Sequence, residues 1–223
     1  MSGHSNTGKS LIFCALYHIY IQNGLTTGDG KLKSRRDELV DTALRLFYKQ
    51  GFNATGIDKI LSESGVAKMT LYKHFGSKDE LILAALTRRD EQFRDWLTNA
   101  METASPDPRA QLLSLFDALE KWFRGQAFKD LGFSGCAFIN ASGEFTDPDH
   151  PAHRIAKQHK QEIVDHLAKL CTKAGATDPE TLAEQLALLK EGAIVTAHVR
   201  GMPEAARLAK TIATGLLDAA LPA

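Results

Sequence analysis

The sequence has few of the features that mark secreted, metal-binding or membrane-spanning proteins. Its 223 residues include three cysteines, Cys14, Cys136 and Cys171, an odd number with no Cys-x-x-Cys pair. This pattern argues against a disulfide framework or a zinc site, so we expect no metal, no cofactor and a reducing, cytoplasmic location. Its longest apolar run, Leu11–Ile21, is interrupted by a histidine and two tyrosines. A membrane span needs roughly 18–20 residues, so we expect none.

The chain also lacks an excess of charge of either sign, since Lys plus Arg and Asp plus Glu both total 27. The charges are unevenly distributed, because residues 31–80 carry 10 basic and 7 acidic side chains, whereas 81–223 carry 16 and 19. A mildly basic early block favours a nucleic-acid-binding module there, although a solvated polar surface gives a similar pattern.

Alternating strand patterns and internal repeats are missing, and from Ser34 onward the apolar residues recur at helical spacing. Ser34 with Asp37, Thr55 with Asp58 and Ser77 with Glu80 are capping pairs that predict helix starts. Together with glycine and proline breaks they predict an all-α fold. The predicted helices lie near 34–50, 55–64, 68–74, 77–103, 108–124, 136–144, 152–174, 179–200 and 203–220. Residues 1–30 are predicted to be a poorly ordered extension.

Residues 55–75 predict two short helices joined by the turn Ser64–Ala67. A glycine in this turn lets the second helix cross the first at a steep angle. Leu71 and Phe75 are four residues apart and anchor one face of the second helix. The side chains that then point outward are Met69, Thr70, Tyr72 and Lys73. Such groups can contact bases and phosphates in a major groove, but a plain helical hairpin with a solvated face fits the pattern equally well.

The run Leu71-Tyr72-Lys73-His74-Phe75-Gly76-Ser77-Lys78, with the preceding Ala43–Phe52, resembles the signature of the TetR family of transcriptional regulators. The resemblance covers about residues 34–86. It implies an N-terminal three-helix helix-turn-helix domain at 31–80 and a C-terminal helical ligand-binding and dimerisation bundle at 81–223. It further implies a ligand-responsive homodimer, most often a repressor, that binds double-stranded operator DNA and is not an enzyme.

Carried over position by position, the resemblance implies a set of DNA contacts. Tyr72, His74 and Lys78 match positions that hold phosphates, which set register without reading sequence. Thr70 and Lys73, with Met69, are the candidates for base contact. The complete set of DNA-binding candidates is Thr55, Lys68, Met69, Thr70, Tyr72, Lys73, His74 and Lys78.

Three positions depart from the family pattern. Gly56 replaces a common Thr, Ala67 a common Ser and Met69 a common Gly. The loss of the Ser removes a helix N-cap, which costs about 1 kcal/mol. These departures leave room for an alternative, a helical ligand-binding or adaptor protein that does not bind DNA.

The last two predicted helices carry apolar stripes that a four-helix interface between two subunits would bury. The alternative is that the stripes pack within one subunit. The dimer would require a pseudo-palindromic operator. The dimer-interface candidates are Leu182, Leu186, Leu189, Ala193, Leu208, Ile212 and Leu216.

The middle of the chain is rich in aromatic residues that could line an effector pocket, although ordinary core is their more common use. The long helix at 78–103 would join such a pocket to the DNA-binding domain, so that a bound small molecule releases the operator. The ligand-pocket candidates are Phe116, Trp122, Phe123, Phe138, Asn140, His159 and His166.

Three further motifs have competing interpretations. Cys136, in a stretch found in a subset of TetR-like regulators, is a candidate redox or electrophile sensor, if it is not simply a small buried residue. His150 and His153 beside two aspartates are a weak metal pattern, and we predict no metal there. Gly3–Ser10 matches a phosphate-binding loop formally, but that loop needs a preceding strand and a parallel sheet, so we predict no nucleotide hydrolysis.

Overall fold

A computed structural model describes residues 33–221, and all the regular structure in that range is α-helical. The helices are α1 (Arg35–Gln50), α2 (Ile57–Ser64), α3 (Lys68–His74), α4 (Lys78–Ala104), α5 (Pro108–Phe123), α6 (Ala137–Glu144), α7 (Pro151–Lys173), α8 (Pro179–Arg200) and α9 (Ala205–Ala220). The predicted all-α fold is confirmed. Within this range, no helix is long and apolar enough to cross a membrane. The predicted extension, with Gly3–Ser10 and Cys14, lies outside the described residues.

Local capping explains where most helices begin. The Ser34 hydroxyl accepts the Asp37 N–H at 3.1 Å, and the Ser77 hydroxyl accepts the Glu80 N–H at 3.2 Å. The Glu80 carboxylate accepts the Gly76 N–H in return at 2.7 Å. Because these bonds satisfy amide groups that a helix start leaves unpaired, they stabilise α1 and α4 where the sequence predicted them.

The predicted cap of α2 is wrong. Gly56 occupies the N-cap position without a side-chain hydrogen bond. The Thr55 side chain is buried, and its hydroxyl donates to the Gly51 carbonyl at 2.7 Å. Thr55 therefore closes the turn after α1 instead of capping α2.

Helices α1, α2 and α3 form a small domain around Ile60, Leu71 and Phe75. Helix α4 packs against α1 and continues into a bundle in which it contacts α5 and α7. On α4, Arg88 forms ion pairs with Asp37 at 2.6 Å and Asp41 at 2.8 Å. The predicted division at residue 80 remains a prediction, and α4 is the element that physically joins the two regions.

The remaining bundle is built from the C-terminal helices. Helix α7 packs against α6 and α8, and α9 packs against α8 and α5. Leu115, Leu119 and Trp122 of α5 are buried at its centre. The bundle core is therefore assembled from helices that lie far apart in the sequence.

Candidate DNA interface and effector pocket

Helix α3 has one buried and one exposed face. Leu71 is fully buried and Phe75 is 3% exposed, whereas Met69 is 87% and Tyr72 51% exposed. The left-handed backbone of Gly65, with φ of 65°, ends α2 and turns the chain toward α3. The exposed side of α3 is therefore free for a groove, as the spacing predicted.

The exposed face of α3 is cationic. Lys68, Lys73 and His74 are exposed, Thr70 is half-buried, and α3 contains no acidic residue. Polar and positively charged groups on a short helix of this kind suit phosphates and base edges in a major groove.

Two predicted DNA contacts are placed differently. Thr55 is buried and engaged with Gly51, so its assignment to the DNA-binding set is corrected. Lys78 is half-buried in the first turn of α4, and its ammonium donates to the Asn53 carbonyl at 3.2 Å. Lys78 can still meet a phosphate there, beside the positive end of α4.

Helices α8 and α9 leave two exposed apolar stripes. On α8 these are Leu188, Val195 and Val199, which are 75%, 45% and 74% exposed. On α9 they are Leu208 and Ile212, which are 57% and 54% exposed. Exposed apolar stripes of this length on adjacent helices mark an interaction surface.

The residues predicted for the dimer interface differ in their exposure. Leu208 and Ile212 lie on the exposed stripe, and Leu189 and Leu216 are half-buried. Leu182, Leu186 and Ala193 are buried in the protomer's own core and are corrected accordingly. Since α8 is apolar on more than one side, its periodicity could not show which side faces the core.

A cluster of charged side chains is buried where α4, α6, α7 and α8 meet. Arg89 is 1% exposed, and its guanidinium carbon lies 4.0 Å from the Phe128 ring centroid and 5.3 Å from that of Phe93. Its Nη1 atom has no hydrogen-bond partner. Burial lowers the pKa of Arg89 to about 10.

Two lysines share one carboxylate in the same region. Lys190 is 1% exposed and its ammonium contacts Glu191 Oε1. Lys160 forms an ion pair with Glu191 Oε2 at 2.6 Å and donates to Cys136 Sγ at 3.3 Å. Burial lowers the pKa of Lys190, and the positive charge of Lys160 lowers it further.

His159 is buried in the same cluster as Arg89 and Lys190. Its ring stacks on Phe138 with centroids 3.7 Å apart, and its Nδ1 lies 2.7 Å from Asp90 Oδ1. Burial lowers the pKa of His159 to about 4. At neutral pH the ring is therefore uncharged and donates its Nδ1–H to the carboxylate.

A narrow cavity lies among these groups. Three of the predicted pocket residues line it: Trp122, Phe138 and His159. Arg89 and Lys190 also line it, and the sequence analysis missed both. Arg89 lies on the apolar stripe of α4, which was a signal, whereas α8 is apolar on more than one side and gave none for Lys190. The predicted residues that do not line it are Phe116, Phe123, Asn140 and His166.

Cys136 lines the same cavity and is only 6% exposed. A thiol that is so little exposed reacts slowly with reagents in solution. Its role as a sensor stays a prediction.

The two histidines of the weak metal pattern have other partners. His150 stacks on Phe145 with centroids 4.5 Å apart, and its Nδ1 accepts the Ala152 N–H at 3.2 Å. His153 Nδ1 lies 3.0 Å from the Phe145 carbonyl. Both rings are therefore engaged in packing and hydrogen bonding at the start of α7.

Two contacts join the cavity wall to the DNA-binding helices. The buried Tyr48 hydroxyl of α1 donates to the Gly135 carbonyl at 2.7 Å and accepts the Ser134 N–H at 2.9 Å. Gly135 has φ of 78°, and a Cβ there would lie 2.9 Å from His198, so this position requires glycine.

The second contact is made by the last residue of α6. The Glu144 carboxylate accepts the N–H groups of Phe52 and Asn53 at 2.8 and 2.7 Å. Since Cys136 and Glu144 lie at opposite ends of α6, this helix connects the cavity wall to the loop before α2.

The small domain of α1, α2 and α3 exposes a cationic helix, and a helical bundle with a cavity follows it. This arrangement defines the class of helix-turn-helix transcriptional regulators. Residues 39–85 match the family model described as bacterial regulatory proteins, tetR family. The chain is similar to SCO4454, a TetR-family transcriptional regulator from Streptomyces coelicolor, with 33% identity, 83% of this chain and 95% of that chain covered, and a TM-score of 0.75. The chain therefore belongs to the TetR family.

Two further comparisons agree. A putative TetR-type transcriptional regulator from Streptomyces avermitilis is 31% identical, with 84% of this chain and 98% of that chain covered and a TM-score of 0.71. The regulator YjdC of Escherichia coli is 26% identical over 160 residues, which are 72% of this chain and 81% of that protein. These relatives are regulators and not enzymes, and they lend no support to an adaptor without DNA binding.

Proposed function

We propose that this TetR-family regulator is a homodimeric repressor that binds a pseudo-palindromic operator and releases it when a small molecule enters the C-terminal bundle. The observation that carries the proposal is the two-faced α3, with Leu71 and Phe75 buried and its basic and aromatic side chains exposed. A helix held by two apolar anchors presents its outer face at a fixed angle, as groove reading requires.

The exposed stripes of α8 and α9 support the dimer. Gly192 and Gly215 lie on the exposed sides of these helices, and a Cβ at either would meet no neighbouring atom of the protomer. Small residues beside Leu188, Val195 and Ile212 allow the helices of a second copy to approach closely. A two-fold axis through this face would place two α3 helices on one operator.

Release of DNA is supported by the contacts at Tyr48 and Glu144. An effector can shift the equilibrium between two conformations only by its difference in affinity for them, commonly worth about 1–3 kcal/mol. The cavity borders α4, which packs against α1, and α6, whose Glu144 bonds to the loop between α1 and α2. A ligand that moved either helix would change the distance and angle between the two α3 helices of the proposed dimer. As a regulator of DNA, the protein would act in the cytoplasm.

Selection of bound duplexes from a random DNA pool tests the proposal most directly. We expect an enriched sequence with two inverted half-sites, and weaker binding to it as salt rises. If the purified dimer enriches no sequence at low ionic strength, the proposed function is wrong.

A further inference from the structure

We infer that the effector is a small organic carboxylate with an apolar body, whose carboxylate is held by Arg89, Trp122 and Lys190. This inference rests on the proposed function, because it names the ligand class of the cavity through which that function would be controlled. The three residues come from α4, α5 and α8 and line one cavity.

Arg89 is a buried cation without an anion. None of the ion pairs formed by residues 33–221 involves it, and the groups that favour its charge are Tyr48 and Cys136. Buried charges in proteins are normally paired, because removing an ion from water is costly. The unpartnered Nη1 atom therefore points to an anion that binds there.

A second donor in the cavity is only weakly engaged. Trp122 Nε1 is buried and makes no close hydrogen bond, although it interacts with the Tyr48 hydroxyl, and the Arg89 guanidinium carbon lies 5.7 Å from the Trp122 ring centroid. One carboxylate oxygen can accept from the indole while the other accepts from the guanidinium. Two donors in one cavity thus favour an anion with two oxygens.

The surrounding charge also favours an anion. The half-buried Lys160 and the buried Lys190 share the carboxylate of Glu191, and Arg89 has no carboxylate of its own. The remaining carboxylate nearby, Asp90, is occupied by His159 and Arg94. A second negative charge would bring the cluster closer to neutrality.

The rest of the cavity selects an apolar ligand body. Phe93, Phe138 and Ile194 form its other walls, and the space between them is too narrow for a water-sized molecule. A ligand must therefore displace side chains of α4, α5 or α6 to enter. That displacement is the difference between two states that regulation requires.

Arg89 could instead serve only as a scaffold for the four aromatic rings around it, and the experiment separates the two roles. The probes are octanoate and phenylacetate, each paired with its uncharged amide, at increasing concentration against the full-length dimer. Thermal unfolding measures binding without DNA, and a gel shift with the selected operator measures release. At about a hundredfold excess over Kd we expect a carboxylate to raise Tm by roughly 5–10 °C, and its amide to raise it by far less.

The variants are Arg89→Met and Lys190→Met, with Arg109→Met as the matched control, because Arg109 pairs with Asp218 on the bundle surface. We expect the first two to lose the carboxylate effect on Tm and the control to keep it. The inference is overturned if neither carboxylate raises Tm, if the amides act equally, or if folded Arg89→Met keeps the full response. Operator binding by the unliganded protein is measured separately, so its loss would count against the proposed function alone.

Discussion

At the scale of single residues, the two tyrosines of the DNA-binding region have opposite roles. Tyr48 is 3% exposed and its hydroxyl bonds to the loop before α6, whereas Tyr72 is 51% exposed on α3. The same chemical change at the two positions should therefore have different consequences.

Tyr48→Phe leaves a buried carbonyl and a partly buried N–H without their partner, so we expect it to lower the free energy of unfolding by about 1–3 kcal/mol. Tyr72→Phe should leave stability unchanged and weaken operator binding, because its hydroxyl faces a phosphate in the proposed complex. Urea unfolding and gel shifts measure the two effects. Equal stability of the two variants would show that the Tyr48 bond contributes nothing.

His159 makes the stability depend on pH. Its pKa falls from the ordinary 6.5 to about 4 on folding, mainly through burial, while Asp90 opposes that shift and Lys160 and Lys190 add to it. The unfolded chain therefore binds a proton that the folded chain does not between these values. The contribution of His159 is present above pH 6.5 and is lost as the pH falls toward 4.

We expect the free energy of unfolding to fall by about 3 kcal/mol across that window on account of this residue. His159→Asn, whose amide can still donate to Asp90, should show a flatter dependence. His74→Asn, at an exposed histidine of α3, should keep the wild-type slope. Denaturation curves at several pH values give the free energy of unfolding as a function of pH. If this function has the same slope for His159→Asn and wild type, His159 is not the source of the pH dependence.

At the scale of elements, α3 combines a weak start with a well-anchored body. Ala67 provides no side-chain cap, so the helix depends on Leu71, Phe75 and the packing of α1. In the proposed complex with DNA, the exposed lysines of α3 act through their charge.

Lys73→Ala should weaken operator binding and reduce the slope of log K against log salt by about 0.9 if it neutralises one phosphate. Lys157→Ala removes an exposed lysine from α7, far from α3 in the chain, and should change neither quantity. Fluorescence anisotropy titrations from low to moderate salt provide both slopes. An unchanged slope for Lys73→Ala would mean that this ammonium does not contact the backbone of DNA.

At the scale of the whole molecule, the proposed function requires two copies joined through α8 and α9. Val195→Glu places a charge in the middle of the exposed stripe, and we expect it to produce monomers with weak operator affinity because a buried unpaired carboxylate is costly. Lys157→Glu brings a new carboxylate to an exposed α7 position and should remain dimeric. Sedimentation measures mass directly, and a dimeric Val195→Glu would place the interface elsewhere.

The helices and the orientation of α3 could be predicted from the sequence because they depend on local interactions. The bond from Ser77 to Glu80 and the burial of Leu71 and Phe75 involve residues three or four positions apart. Thr55 was misassigned because its hydroxyl bonds back to Gly51 and not forward into α2. Leu182 and Leu186 were misassigned because two sides of α8 are apolar.

The amino-acid sequence by itself determined the family, the helices and the outward face of α3, since each follows from side chains that are close together along the backbone. Tertiary structure alone decided that Arg89, Trp122, Lys190 and His159 meet in one cavity. These residues lie on four helices, and only long-range packing sets which sides of those helices converge. The same packing decided which stripe of α8 remained exposed.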